Sequence, residues 1–366
     1  MVDSAAMRIL VGLSGGVDST VAALLLREAG HEVLGATMML WNGRYRGGAR
    51  DACFGPGERE DAAAAEAFCA RFGIPYLRLD RAALYESAVL APWRRAFLEG
   101  RTPNPCVLCN PLLKFTIPDA ARAAGLSFDA FATGHYARTD RAGPCGRVRL
   151  LRAVEGARDQ SYFLHRLSQE QLSGVLFPLG GMRKAEVRAF ARARGLGAVA
   201  EKPDSQDFYS GDRNELIGAE DRPGDIVDAA GRVLGRHTGH WKFTVGQRRG
   251  VGLSGTGEPL YVVEIDACRN RVVVGPRPAT VRRRLEAESV NWVSIPPPEP
   301  GAALRCAVKI RSVGDPVPGV VATVLPDGAF RAEFPSGLAG VAPGQSAVLY
   351  DGDAVLGGGF IRNTTP

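Results

Sequence analysis

"RILVGLSGGVDSTVAALLLREAGHEV", residues 8–33, decides the fold. Ile9, Leu10, Val11 and Leu13 make the short apolar run that a buried strand needs. Val21, Leu24, Leu25 and Leu26 recur at helical spacing, and Gly30 supplies the stop. Ser14, Gly15, Gly16, Val17, Asp18 and Ser19 therefore occupy a strand-to-helix junction. Glycines there let backbone N–H groups approach an anion, and the helix N-terminus favours negative charge. Phosphate is the guest that suits this junction.

The pattern extends outward. "HEVLGATMMLW" carries a second apolar run from Val33 to Trp41, "EREDAAAAEAFCARF" is helical, and "GIPYLRLD" gives a third run ending at Asp80. "FDAFATGHYAR", residues 128–138, adds a strand that ends at Thr133 and Gly134. Strands alternating with helices predict an α/β domain with an open, doubly wound parallel sheet. Ligands of such sheets lie beyond the carboxyl ends of the strands, so the opening loop, Met38 and Gly134 are expected around one crevice. From about residue 206 the chain turns glycine-rich with short alternating strands, which predicts a small mixed or β module. "SIPPPEPG", residues 294–301, breaks regular structure, and the strand-like runs after it, linked by Asp-Gly turns, predict a small C-terminal β-barrel. The expected boundaries are 1–205, 206–277 and 278–366.

At 366 residues with 45% hydrophobic composition, two or three domains with real cores are expected. No run is long and apolar enough to span a bilayer, and the N-terminus lacks the pattern of a signal peptide, so a cytoplasmic protein without membrane contact is expected. A net charge of +6 admits a polyanionic partner. Lysine occurs only at 114, 184, 202, 242 and 309, leaving arginine to carry most of the positive charge. Seven cysteines at irregular spacing do not describe a disulfide framework. Cys69, Cys268 and Cys306 read as small core residues, and His237 and His240 as structural or RNA-facing. "RTPNPCVLCNPLLKF" sets Cys106 and Cys109 in a C-x-x-C spacing that suits a redox pair, half a zinc site or cluster ligands; the lack of a second C-x-x-C argues against a four-cysteine zinc site.

The opening loop lacks the Gly-Lys-Ser/Thr ending of the common P-loop and the Gly-x-Gly-x-x-Gly of dinucleotide folds. It resembles the SGGxDS loop of the PP-loop ATP pyrophosphatases. With SGGVDS come TPNPxxxCNxxxKF, ATGHYAR, a D-Q-S-Y-F-L segment and T-V-G-Q-R-R-G, in order, at Ser14, Thr102, Ala132, Asp159 and Thr244. "VAPGQSAVLYDGDAVLGGG" follows at 341–359. Together they are similar to the tRNA-specific 2-thiouridylases, the MnmA family. That resemblance implies an enzyme that adenylates the C2 oxygen of the wobble uridine of tRNA with ATP and replaces it by sulfur. ATP would lie on Gly12, Leu13, Ser14, Gly15, Gly16, Val17, Asp18 and Ser19, with Met38 and Gly134 on the adenine and ribose side and Mg²⁺ on Asp18. Cys109 matches the nucleophile. His135, Arg158, Asp159, Gln160, Arg311, Ser312 and Gln345 match tRNA contacts, and Lys114, Arg248 and Arg249 are further basic candidates. The implied partners are the anticodon loop of tRNA and a sulfur-donor protein or free sulfide, with the enzyme acting as a monomer.

Two positions depart from the family pattern. "DSQDFYS" carries Tyr209 where many members have a second cysteine, and Cys106 stands where such members often have aspartate. Three readings follow. Cys106 and Cys109 form the persulfide and resolving pair, or they join Cys53 as ligands of an iron–sulfur cluster that binds sulfide, or Cys109 works alone. Sulfur is expected to arrive as a persulfide or sulfide, with a thiolate of lowered pKa as its usual carrier.

Overall fold

The computed structural model describes residues 6–48, 52–204, 207–253 and 258–365. The chain divides into two compact units. The first comprises residues 1–89, 106–213 and 353–355; the second comprises residues 90–105, 214–352 and 356–366.

The first unit is built on a parallel sheet. Its strands are β1 (Arg8–Gly12), β2 (Glu32–Met39), β3 (Tyr76–Asp80), β4 (Ala130–Thr133) and β7 (Val175–Leu176), ordered β3-β2-β1-β4-β7. A hairpin of β5 (Ala137–Asp140) and β6 (Arg149–Arg152) follows β4. Helices α1 (Val17–Glu28) and α2 (Glu58–Phe72) make the first two crossovers, α3 (Pro105–Leu112) carries the C-x-x-C pair, and α4 (Lys184–Ala193) comes later. The helical spacing seen in the sequence works as expected: Val21 and Leu24 of α1 pack with Ile9 and Val11 of β1 in one buried cluster. Each such side chain contributes about 1.5–3 kcal/mol by leaving water. The chain leaves β1 toward β2 on one side and returns as β4 on the other, so the switch point of the sheet lies at β1 and β4. The two strands converge there without room to spare. A Cβ on Gly134 would stand 2.6 Å from the Ser19 nitrogen and 2.7 Å from the Asp18 carbonyl carbon.

The second unit holds two β structures. One is a four-stranded sheet, β10-β11-β8-β9, made from β8 (Gly224–Val227), β9 (Val233–His237), β10 (Tyr261–Asp266) and β11 (Arg271–Gly275). The other is a barrel of β12 (Val281–Asn291), β13 (Ala303–Lys309), β14 (Val317–Val324), β15 (Phe330–Ala339), β16 (Ser346–Asp351) and β17 (Ala354–Thr365), closed where β12 pairs with β17. The Asp327–Gly328 and Asp351–Gly352 turns link its strands, as the sequence implied.

By their contacts residues 90–105 group with the second unit. Hydrogen bonds are the reason: His240 Nε2 donates to the Leu98 carbonyl at 2.9 Å, Arg94 to the Leu216 carbonyl, and the Thr102 amide to the Pro343 carbonyl at 2.7 Å. Cys268 is exposed instead of buried, because it falls in the turn between β10 and β11. Of the two readings of His240, the structural one fits: it is buried, with Nδ1 bonded to Asn270 Oδ1 at 3.0 Å. Cys69 and Cys306 are buried as expected.

Gly134→Ala should lower the unfolding free energy in urea by about 1–3 kcal/mol, the cost of overpacking a tight contact. An unchanged midpoint would show that β4 and the loop can separate freely.

Candidate active site

The glycine loop is held open by its own hydroxyls. Ser14 N donates to Ser19 Oγ at 3.1 Å, and Ser19 Oγ donates to the Gly16 carbonyl at 3.2 Å. From β2, Thr37 Oγ1 donates to the Leu13 carbonyl at 2.8 Å. Gly15 takes φ +69°, a conformation that side chains resist, and it lies flat against the Asp61 backbone. Gly16 caps α1 without any side-chain hydrogen bond. The first-turn amides thus point outward beside the helix dipole, the arrangement that binds phosphate.

Asp18 lies in that first turn and is caged. Both of its oxygens accept from Lys184 Nζ at 2.8 Å, and Oδ1 also accepts from the Tyr136 hydroxyl at 2.7 Å. Lys184 is only 6% exposed and reaches Asp204 at 2.6 Å as well. Asp204 in turn binds Arg158 at 2.7 Å and Arg188 at 3.4 Å. Two carboxylates therefore meet three cations, leaving this cluster one positive charge in excess, and the Asp204 carboxyl is held below its usual range by Lys184, Arg158 and Arg188 against a desolvation penalty. Lys202 braces the loop from the side, donating to the Gly15 carbonyl at 3.2 Å and to Asp61 at 2.5 Å. Magnesium takes most of its ligands from phosphates and water, so a single carboxylate such as Asp18 would be the residue to hold it here.

The thiols form a second cluster in the same unit. Cys53, Cys106 and Cys109 act on one another electrostatically, and Lys114 faces all three. Desolvation dominates: it raises all three thiols, Cys109 to about 12, and Lys114 offsets it only in part. The lowered pKa expected of a sulfur carrier is therefore reversed, because dense protein around these sulfurs penalises the thiolate. Tyr209 is buried at the place of the missing cysteine, its hydroxyl accepting from Gly47 N at 3.1 Å. The strand-like bridge of Ala52 with Asp207, and the Phe54 N to Phe208 O bond at 2.9 Å, lay Cys53 alongside that segment. Cys53 thus comes close to where the family places its second cysteine. Among the described residues, no three His, Cys, Asp or Glu side chains are placed to hold a metal ion. The thiols as they stand do not fit a cluster.

The remaining expected residues are scattered in role. Met38 and Gly134 end β2 and follow β4, on either side of β1. His135 is buried against Phe115 and Phe177, with Nδ1 on Thr133 Oγ1 at 2.8 Å, and burial holds it neutral. Asp159 also faces inward: its carboxylate accepts from Ala153 N, Ser161 N and Ser161 Oγ, so any part it has in RNA binding is to shape its loop. Gln160 Oε1 accepts from Tyr136 N at 2.9 Å. In the second unit Arg311, Arg248 and Arg249 are exposed, Ser312 is half-buried, and Gln345 donates to the Thr102 carbonyl.

Comparison with known proteins divides the chain in three. Family profiles match residues 7–209 as "tRNA methyl transferase HUP domain", 215–276 as "tRNA methyl transferase PRC-barrel domain" and 282–361 as "Aminomethyltransferase beta-barrel domain". The tRNA-specific 2-thiouridylase of Endomicrobium trichonymphae is 44% identical over 362 residues, covering 97% of this chain and 99% of that protein. The namesake from Chloroflexus aggregans is 45% identical, covering 96% and 98%. The chain belongs to the tRNA-specific 2-thiouridylase family. The 2-thiouridylase of Geotalea uraniireducens, 43% identical over 97% of this chain and 95% of its own, agrees. A solved 4-thiouridine synthetase–RNA complex with bound ATP has a TM-score of 0.35 at 17% identity, covering 58% of this chain and 45% of that one, a likeness too slight to bear on function.

Sequence reasoning missed Lys184, Lys202, Tyr136 and Asp204 as members of this 2-thiouridylase site. A usable signal existed in a chain with lysine at only five positions, two of which converge on one loop.

Iodoacetamide should label exposed Cys145 and Cys268 well before Cys109 at pH 7. The Cys109 rate should climb by about tenfold per pH unit up to pH 10, since only the thiolate reacts. Peptide mapping by mass spectrometry reads this; rapid, pH-independent labelling of Cys109 would contradict the raised pKa.

Proposed function

We propose that this protein transfers sulfur to the 2-position of the wobble uridine of tRNA, using ATP to activate the C2 oxygen. What supports the reading most is one unit that carries both a phosphate-binding junction and a cluster of thiols, in a chain of this family. A uridine carbonyl oxygen is a poor leaving group. Attack of that oxygen on the α-phosphorus of ATP releases pyrophosphate and leaves an O-adenylated base. The loop amides of Gly15 and Gly16, with Ser14 and Ser19, face the phosphates, and Lys184 shifts from Asp18 toward the added negative charge. Magnesium bound with ATP would neutralise the departing pyrophosphate, with Asp18 as its ligand.

Sulfur then displaces AMP. A persulfide on Cys109 bonds through its terminal sulfur to C2, the C2–O bond breaks, and AMP leaves with both electrons. The Cys106 thiol, three residues away in α3, attacks Cys109 Sγ as a thiolate. A Cys106–Cys109 disulfide forms and 2-thiouridine is released. An external thiol reductant then restores both thiols, and a persulfide-bearing donor protein hands its outer sulfur to Cys109. Free sulfide recharges the pair only by attacking the Cys106–Cys109 disulfide itself at Cys109 Sγ, which forms the Cys109 persulfide and releases the Cys106 thiolate. Lys114 is the charge that favours anionic sulfur at each stage. The exposed arginines of the second unit suit the tRNA backbone. No helix among the described residues is long and apolar enough to cross a membrane.

The test supplies ATP, tRNA and a persulfide donor to the purified protein, and follows pyrophosphate and 2-thiouridine together. Cys109→Ala should abolish thiouridine yet leave tRNA-dependent pyrophosphate release within about threefold, because adenylation precedes sulfur transfer. Cys106→Ala should give at most one turnover. Thiouridine made at the full rate by Cys109→Ala would reject the mechanism.

A further inference from the structure

The peptide between Gly15 and Gly16 is the part of the phosphate loop freest to turn over. A peptide plane can rotate where the residues on both sides accept either sign of φ, and glycine does so at little cost. Gly15 already takes φ +69°. The facing of this plane matters to an anion. Across a trans peptide the carbonyl and the N–H point in opposite directions, so one orientation offers a ligand the Gly16 N–H and the other the Gly15 carbonyl oxygen. Among the described residues the Gly16 N–H has no acceptor of its own.

The carbonyl, by contrast, is held. Lys202 Nζ donates to it at 3.2 Å and to Asp61 Oδ1 at 2.5 Å. Both ends of this bridge are fixed by the backbone around them. Lys202 N donates to the Val199 carbonyl at 3.3 Å, in the short helix Gly197–Glu201, and the Lys202 carbonyl accepts from Arg188 of α4 at 3.3 Å. Asp61 lies in the first turn of α2, where the Glu58 carboxylate accepts from the Leu40 and Trp41 amides at 2.6 and 2.7 Å, just past β2. Gly15 itself sits so near Asp61 that a Cβ would stand 2.4 Å from the Asp61 carbonyl oxygen. All of these groups belong to the first unit.

We propose that Lys202 is a positioning residue for nucleotide phosphates: by gripping the Gly15 carbonyl it fixes the Gly15–Gly16 peptide with its N–H toward the anion, and Asp61 holds it there. Lys202 acts through the peptide and not through its own charge, since its ammonium already faces a carboxylate. The assignment deepens the reading of the loop as the ATP site and rests on it. With the grip removed, the peptide turns over part of the time and presents an oxygen to the phosphate, which repels it.

The experiment uses calorimetry on the full-length protein to measure the binding of magnesium pyrophosphate and, separately, of adenosine. Wild type is compared with Lys202→Met, Lys202→Arg and the double variant Lys202→Met with Asp61→Asn. Lys202→Met should weaken pyrophosphate binding by about 10- to 100-fold, the range for losing one hydrogen bond to a charged group, and leave adenosine binding unchanged. Lys202→Arg should recover most of the loss, because a guanidinium still donates to a carbonyl. The double variant separates position from charge. It removes one positive and one negative charge, so a purely electrostatic role for Lys202 predicts binding near that of wild type, whereas positioning predicts the same loss as Lys202→Met. Recovery in the double variant would overturn the proposal, as would an equal loss of adenosine binding. If wild type binds no pyrophosphate, the phosphate reading of the loop fails and the proposal with it. Pyrophosphate bound equally well by wild type and Lys202→Met leaves that reading intact and rejects the role of Lys202 alone.

Discussion

One buried ammonium organises the first unit. Taking Lys184 out of water costs several kcal/mol unless charges repay it, and here two carboxylates and a tyrosine ring surround it. In accepting that lysine, Asp18 fixes the first turn of α1, and Tyr136 ties the same carboxylate to the chain just beyond β4. Asp204 lies on the other side of the ammonium, three residues before Asp207, which pairs beside Cys53. The phosphate junction and the wall of the thiol cluster share this support. An anion entering the loop would compete with Asp18 for Lys184, so nucleotide binding and the local electrostatics are linked.

The thiol cluster shows how burial outweighs a neighbouring charge. Lys114 favours the thiolate at Cys53, Cys106 and Cys109, yet all three remain raised because dense surroundings penalise negative sulfur more. An unmodified Cys109 is then a weak nucleophile, and sulfur already bonded to sulfur is the better reagent. Tyr209 fills the family's usual cysteine position with a buried ring, while a bridge between two distant segments brings Cys53 alongside. The loss of one thiol and the presence of another are legible only when both segments are seen together.

The second unit takes the stretch before the cysteine helix as part of itself. Leu98 is bound by His240 from the small sheet, and Thr102 by the barrel's Pro343 and Gln345. Backbone groups left unpaired in such a stretch would each cost about 1–3 kcal/mol, so these contacts are what let an irregular, proline-rich segment hold one shape.

Much was legible from local order. Apolar spacing in residues 8–33 defined β1, the loop and α1, because periodicity records which face of an element meets a core. Asp-Gly turns defined barrel hairpins, and the C-x-x-C pair marked the candidate sulfur chemistry. What the sequence by itself determined was the type of each element and the chemistry its motifs can carry. Only the tertiary structure decided which charges face each other across long separations, as Asp18 does Lys184, and whether a polar side chain points inward, as those of Asp159, His135 and Gln345 do. Periodicity reports a residue's neighbours along one element, whereas pKa shifts, ion pairs and hydrogen-bond partners depend on distances between elements that the chain order leaves open.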